Sequence, residues 1–173
     1  MSLGSLVSSL LDDGRKFAYF AREASRDKNE ALMNTYCRAV VFSVWSALEG
    51  WINYISSSFA EIDTTLSQYE IAFLKERKIQ VNEDGLIEIS NQDDYKPTTT
   101  RLLFILQKYG GRYDLKHENP DLWRRLREAE KTRHSLVHPK RVDEDMSLDL
   151  KNAEEFLETI NEVIQMLRRK IYK

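Results

Sequence analysis

The chain has 173 residues, 42% of them hydrophobic and 31% charged, with a formal net charge of −2. That length suits one domain able to bury a sizeable core, and the balance of apolar and charged residues excludes a disordered chain. The near-neutral total gives no global argument for a polyanion partner, so any basic surface must be local. The single cysteine, Cys37, excludes an internal disulfide and fits a reducing compartment.

Only three prolines and six glycines interrupt the chain, which favours long helices. Residues 5–27 carry Leu6, Val7, Leu10, Leu11, Phe17, Phe20, Ala21 and Ala24, mostly three or four apart, which predicts a first amphipathic helix. A second helix is predicted over Asn29 to Phe59, with a stripe of Val41, Val44, Trp45, Leu48, Trp51, Ile52, Ile55 and Phe59 that makes it the centre of the fold. Its apolar stretch from Ala39 to Ala60 has the length of a membrane span. Glu49 and Asn53 near its middle and a serine-rich second half argue for a buried core helix instead. The N-terminus has no basic region followed by an apolar core and a small-residue cleavage site, so no signal peptide is expected, and the expected location is cytoplasmic, away from any membrane.

Thr65 to Lys78 reads as a shorter helix. The period then changes: Ile79-Gln80-Val81 and Leu86-Ile87-Glu88-Ile89 flank Asn82-Glu83-Asp84-Gly85, predicting two short strands about an Asp-Gly turn, with Ser90 to Pro97 as loop. A two-stranded ribbon is not stable alone and has to lean on the bundle or on another subunit. Thr98 to Tyr109 predicts a helix stopped by Gly110-Gly111. The next helix has Asn119 as N-cap, Pro120 just inside its start and apolar Leu122, Leu126 and Ala129 on one face. After the acidic turn Asp143-Glu144-Asp145, a last helix from Asp149 presents Leu150, Ala153, Phe156, Leu157, Ile160, Val163, Ile164, Leu167 and Ile171, ending in Arg168-Arg169-Lys170, a favourable terminus for the helix dipole. The fold class predicted is all-α: a single domain over residues 1–173, an up-and-down helical bundle with a small β-hairpin inserted near residues 79–89.

The stretch with chemistry in it is Lys131-Thr132-Arg133-His134-Ser135-Leu136-Val137-His138-Pro139-Lys140. Arginine is a permanently charged planar fork that matches phosphate oxygens, and histidine can give and take a proton near neutrality. At helical spacing Arg133 follows Leu122, Leu126 and Ala129 on the inward face, where a guanidinium needs an anion, and Glu49 is the first candidate partner. Five helical steps turn His138 roughly 140° away from Arg133. Pro139 biases His138 out of the helical region, so the helix should end near Val137 and the chain can swing the imidazole back toward Arg133. Between Arg124 and Arg141 seven cations (Arg124, Arg125, Arg127, Lys131, Arg133, Lys140 and Arg141) face only Glu128 and Glu130, a local net charge of +5. This is the footprint of a polyanion binder; its bland counterpart is a solvated helix face.

Arg133-His134 followed by His138 resembles the R-x4-6-H motif of the HEPN superfamily, in which the residue after the arginine is typically Asn, Asp or His. The resemblance covers the helical scaffold over residues 5–172, with Arg133, His134 and His138 matching the motif. It implies a metal-independent endoribonuclease, without cofactor, that cleaves RNA by attack of the RNA's own 2′-hydroxyl and leaves a 2′,3′-cyclic phosphate and a 5′-hydroxyl. It also implies a homodimer with the motif at the interface, a role as a toxin or phage-defence effector, and an antitoxin or other regulatory partner. In that reading His138 is the general acid or base, Arg133 the phosphate clamp, His134 a secondary polar group, and Glu49 the residue that holds Arg133 or His138. Arg124, Arg127, Lys131, Lys140 and Arg141 bind RNA. Many toxin members carry a tyrosine two residues after the motif histidine, used for silencing by a nucleotidyltransferase; here Lys140 stands there, which counts against that route.

Other chemistries find less in the sequence. His134 and His138 have the spacing of two metal ligands on a helix, but Ser135 takes the place of the general base in H-E-x-x-H and Pro139 disturbs the register, so no metal is expected. No G-x-S-x-G elbow or glycine-rich phosphate loop is present. Trp45, Trp51 and Trp123 are spaced for the core and are not expected to stack on bases. The alternative to an enzyme is a HEPN-like bundle that binds RNA or a protein without cutting.

Overall fold

The computed structural model describes residues 3–138 and 147–172, with side chains from Ser5 onward. Lys140, Arg141 and the turn Asp143-Glu144-Asp145 lie outside the described residues. Seven helices and one antiparallel two-stranded ribbon are described, in the order α1 (Leu3–Arg26), α2 (Glu30–Ile62), α3 (Gln68–Leu74), β1 (Arg77–Val81), β2 (Ile87–Asp93), α4 (Thr98–Tyr109), α5 (Leu115–Glu118), α6 (Pro120–Val137) and α7 (Leu150–Ile171). The helical bundle with an inserted hairpin is therefore present, and among the described residues no helix is long and apolar enough to cross a membrane.

Helix α2 is the axis, touched by α1, α3, α4, α6 and α7. It starts at Asn29, whose side chain accepts from the Leu32 N–H, and buries Val40, Val41, Val44, Leu48, Ile52 and Ile55. Facing them are Val7, Leu11 and Ala21 of α1 and Phe156, Ile160, Val163, Ile164 and Leu167 of α7. Each such fully buried aliphatic side chain contributes about 1.5–3 kcal/mol, so this three-helix seam dominates the stability of the fold. Helix α1 comes close to α2 at Gly14, where a Cβ would lie 2.3 Å from Val44 Cγ1; only glycine fits there. Two polar latches fix α7: Arg22 of α1 pairs with Glu154 at 2.5 Å, and Asn34 of α2 accepts the Leu148 N–H at 2.8 Å.

The structure shortens one predicted helix, lengthens the predicted strands and adds one short helix. The helix expected over Thr65 to Lys78 is only Gln68–Leu74. At its start the Asp63 carboxylate captures both the Thr65 N–H and hydroxyl, holding that stretch in a turn, and Ser67 and Glu70 form a reciprocal capping box that sets the true beginning. At its end Glu76 has φ +51, a left-handed conformation that no helix continues. The strands are longer than predicted because Arg77 pairs with Asp93 across the ribbon, past a register irregularity between Arg77 and Ile79, so that Ser90 to Asp93, expected as loop, belongs to β2. The single turn α5 was not predicted; Asp114 caps it and Leu115 anchors it in the core.

Candidate functional site

Helix α6 begins as its sequence predicts: Asn119 accepts from the Leu122 N–H and Pro120 occupies the first turn. It lies on the core through Leu122, Leu126, Ala129 and Leu136 and ends at Val137. His138 is its C-cap, with non-helical φ −128 and ψ 69, its N–H donating to the His134 carbonyl at 2.9 Å.

Where the second half of α6 passes α2 and the segment leaving the hairpin, an open cleft of about 780 Å³ forms. Its walls are Trp45 and Glu49 of α2, Tyr95 to Thr98 from the hairpin exit and the start of α4, and Arg127, Glu128, Glu130, Lys131, Arg133 and His134 of α6. Glu49 is the hinge of this arrangement. Its Oε1 accepts from Trp45 Nε1 at 2.8 Å and from the Thr98 hydroxyl at 3.2 Å, and Arg133 Nη2 lies 3.7 Å from the same oxygen. Two neutral donors thus fix the carboxylate, and the guanidinium is attracted at a distance longer than a hydrogen bond. Arg133 is 31% exposed and its guanidinium has no hydrogen bond among the described residues, a geometry suited to meeting an anion in the cleft.

The structure brings Arg133 and His134 to one cleft. His138 stands beside it: its ring centroid is 5.1 Å from that of His134, and it is exposed. Of the predicted phosphate contacts, Lys131 lines the cleft, is exposed and has no ion pair among the described residues. Arg127 also lines it but is committed to Glu130, which accepts from Thr99 at 2.8 Å, and its guanidinium sits 5.7 Å from the Trp123 ring. Arg124 pairs with Asp121 at 2.7 Å and lies on the neighbouring groove toward α7. Arg125, counted in the basic cluster, ties α6 to α7 through Glu162 at 2.5 Å. Asp121 and Glu162, which lie outside Arg124–Arg141, offset two of the five net positive charges, and among the described residues of the cleft the cations least committed to a carboxylate are Lys131 and Arg133.

Comparison with protein-family models, curated proteins and solved structures finds no match to this chain. What the cleft can do has to be argued from its own residues.

Sequence reasoning missed a second polar cluster directly beneath the cleft. Arg101 of α4 is 4% exposed; its Nη1 donates to Asn53 Oδ1 at 2.6 Å and pairs with Glu76 Oε2 at 3.1 Å. Burial pulls the guanidinium pKa down, and the carboxylates of Glu76 and Glu49 oppose that shift. Glu76 Oε1 in turn accepts the Lys96 N–H at 2.9 Å, and its carbonyl accepts from Asp94 at 2.8 Å, so this cluster pins the hairpin exit that forms one cleft wall. The available signal was Glu49 and Asn53, two polar residues one turn apart in an otherwise apolar helix. Elsewhere Cys37 is buried and its thiol is pushed up to about 11, chiefly by burial, which makes it an inert core residue and not a nucleophile. Among the described residues no group of three or more His, Cys, Asp or Glu is placed to hold a metal ion.

Proposed function

We propose that this chain is a HEPN-type endoribonuclease acting on single-stranded or loop RNA, working without a metal as a two-fold homodimer, in the role of a toxin or phage-defence effector under a regulatory partner. The observation that carries the reading is the state of Arg133: a guanidinium held toward α2 by a carboxylate that two other donors already orient, open to solvent, with Lys131 and His134 on the same cleft wall.

In-line attack of a 2′-hydroxyl on the adjacent phosphorus requires a base to take the hydroxyl proton, an acid to protonate the departing 5′-oxygen, and positive charge on the phosphorane oxygens. Arg133 supplies the charge. His138 supplies one proton-transfer group, with His134 as the polar neighbour that orients it across their 5.1 Å ring contact. A single chain offers one motif histidine, so the donor and acceptor roles are shared with a second copy that faces the same groove.

A second reading, a bundle that binds RNA or a protein without cutting it, draws on His138 standing beside the cleft and not in its wall. Incubating labelled RNA with the wild type and with His138→Ala, each with and without EDTA, separates the two. Chelator-resistant cleavage with cyclic-phosphate ends that His138→Ala loses supports the enzyme. Retention of RNA without cleavage supports the binding module, and chelator-sensitive cleavage points to a metal-dependent hydrolase.

A further inference from the structure

Tyr95 is 80% exposed, more than any other large apolar or aromatic side chain among the described residues. It makes no ring contact with another aromatic there, yet it is firmly held. Its hydroxyl donates to Asp93 Oδ2 at 3.1 Å, and the other oxygen of Asp93 pairs with Arg77 at 2.6 Å. The backbone on both sides is pinned to Glu76, by the Asp94 N–H to the Glu76 carbonyl and the Lys96 N–H to its carboxylate. Pro97 follows with a fixed φ of −53. The result is an aromatic face presented to solvent at the rim of the cleft that holds Arg133, Lys131 and His134.

We propose that Tyr95 is the base-stacking residue of this cleft, which selects an unpaired nucleobase while Arg133 and Lys131 take the adjoining phosphate. The proposal rests on the RNA reading above and gives the inserted hairpin its purpose. Stacking on an aromatic face is available to any base but only to one outside a duplex, because a paired base already has both faces covered. Pre-organisation by Asp93 and Glu76 means that little side-chain or backbone freedom is lost when the base arrives. Selection by Tyr95 is therefore for single-strandedness, not for sequence.

The test is a cycle between ring and base. Affinities of wild type, Tyr95→Phe, Tyr95→Ala and Arg133→Ala are measured by fluorescence anisotropy for a short single-stranded RNA with 2′-fluoro riboses, which lacks the nucleophile, and for the same backbone carrying abasic sites. Wild type and Tyr95→Phe should prefer the base-bearing strand by about tenfold, and Tyr95→Ala should bind both strands alike. A base preference that survives in Tyr95→Ala, while Arg133→Ala weakens both strands, overturns the role of Tyr95 and leaves the RNA reading intact. Wild type that retains neither strand, or Arg133→Ala that binds both as wild type does, overturns both. A Tyr95→Ala protein with unchanged base preference but a smaller sedimenting mass assigns the ring to a contact between copies, which also overturns the proposal.

Discussion

Arg101 and Arg133 both reach the same polar edge of α2, at Asn53 and Glu49, one helical turn apart. Arg101 is sealed, at 2.6 Å from Asn53 and 3.1 Å from Glu76; Arg133 is a third exposed, and its one ionic partner among the described residues, Glu49, lies 3.7 Å away. The first has exchanged water for fixed acceptors at Nη1, although its buried Nε finds none among the described residues, and acts as a strut between α2, α4 and the hairpin. The second makes no side-chain hydrogen bond among the described residues and stays in reach of solvent. Residue type and helix face are shared, so solvent access and partner count are what separate a structural guanidinium from a binding one.

The largest effect should come from Arg101→Ala. Removing one member of a buried charged pair leaves Glu76 uncompensated, and denaturant unfolding should show a loss of about 3–5 kcal/mol. Arg133→Ala should instead spare stability to within about 1 kcal/mol and lower the cleavage rate by about 10²–10³, the effect of removing one donor to a developing oxyanion. If the two variants behave alike in both measurements, the contrast fails. Glu49→Gln sharpens it further. The amide still accepts from Trp45 and Thr98, so unfolding should change little, while loss of the negative charge should tighten RNA binding by up to about fivefold and slow cleavage through a less constrained Arg133. Binding and turnover moving in the same direction would show that Glu49 does not orient the guanidinium.

The smallest effect is expected at Glu70, an ion pair of neither kind. Its carboxyl falls from an ordinary 4.5 to about 2 because the Lys108 ammonium and the Ser67 N–H and hydroxyl all favour the charged form. The stabilisation is complete above pH 4.5, where folded and unfolded chains both carry the ionised group, and is lost as pH falls toward 2. Glu70→Gln should flatten the stability–pH curve within that window and leave its neutral region unchanged in shape; flattening elsewhere would assign the acid sensitivity to another carboxylate.

The helices were largely legible because their signals are local. Asn29, Asn119 and Asp149 cap α2, α6 and α7 by bonding to backbone N–H groups three residues on, and Pro139 lies just past the end of α6. The Arg133–Glu49 pair could also be anticipated, since a carboxylate in an apolar stripe needs a cation. Illegible were the features that depend on partners far along the chain. Ser90 to Asp93 has no apolar alternation, and the end of its strand is set by the pairing of Asp93 with Arg77, while the +5 counted over Arg124–Arg141 is reduced by Glu162 from α7.

Sequence alone determined an all-helical bundle around α2, an inserted ribbon, and a guanidinium and two imidazoles gathered at the end of one helix, because periodicity, caps and short-range steric bias are properties of neighbouring residues. Tertiary structure alone decided which of the described cations pair with a carboxylate, that His134 and not His138 lines the cleft, and that the hairpin exit brings Tyr95 to its rim. Charge neutralisation and solvent access depend on what packs from the opposite side, and that is set by contacts between elements tens of residues apart.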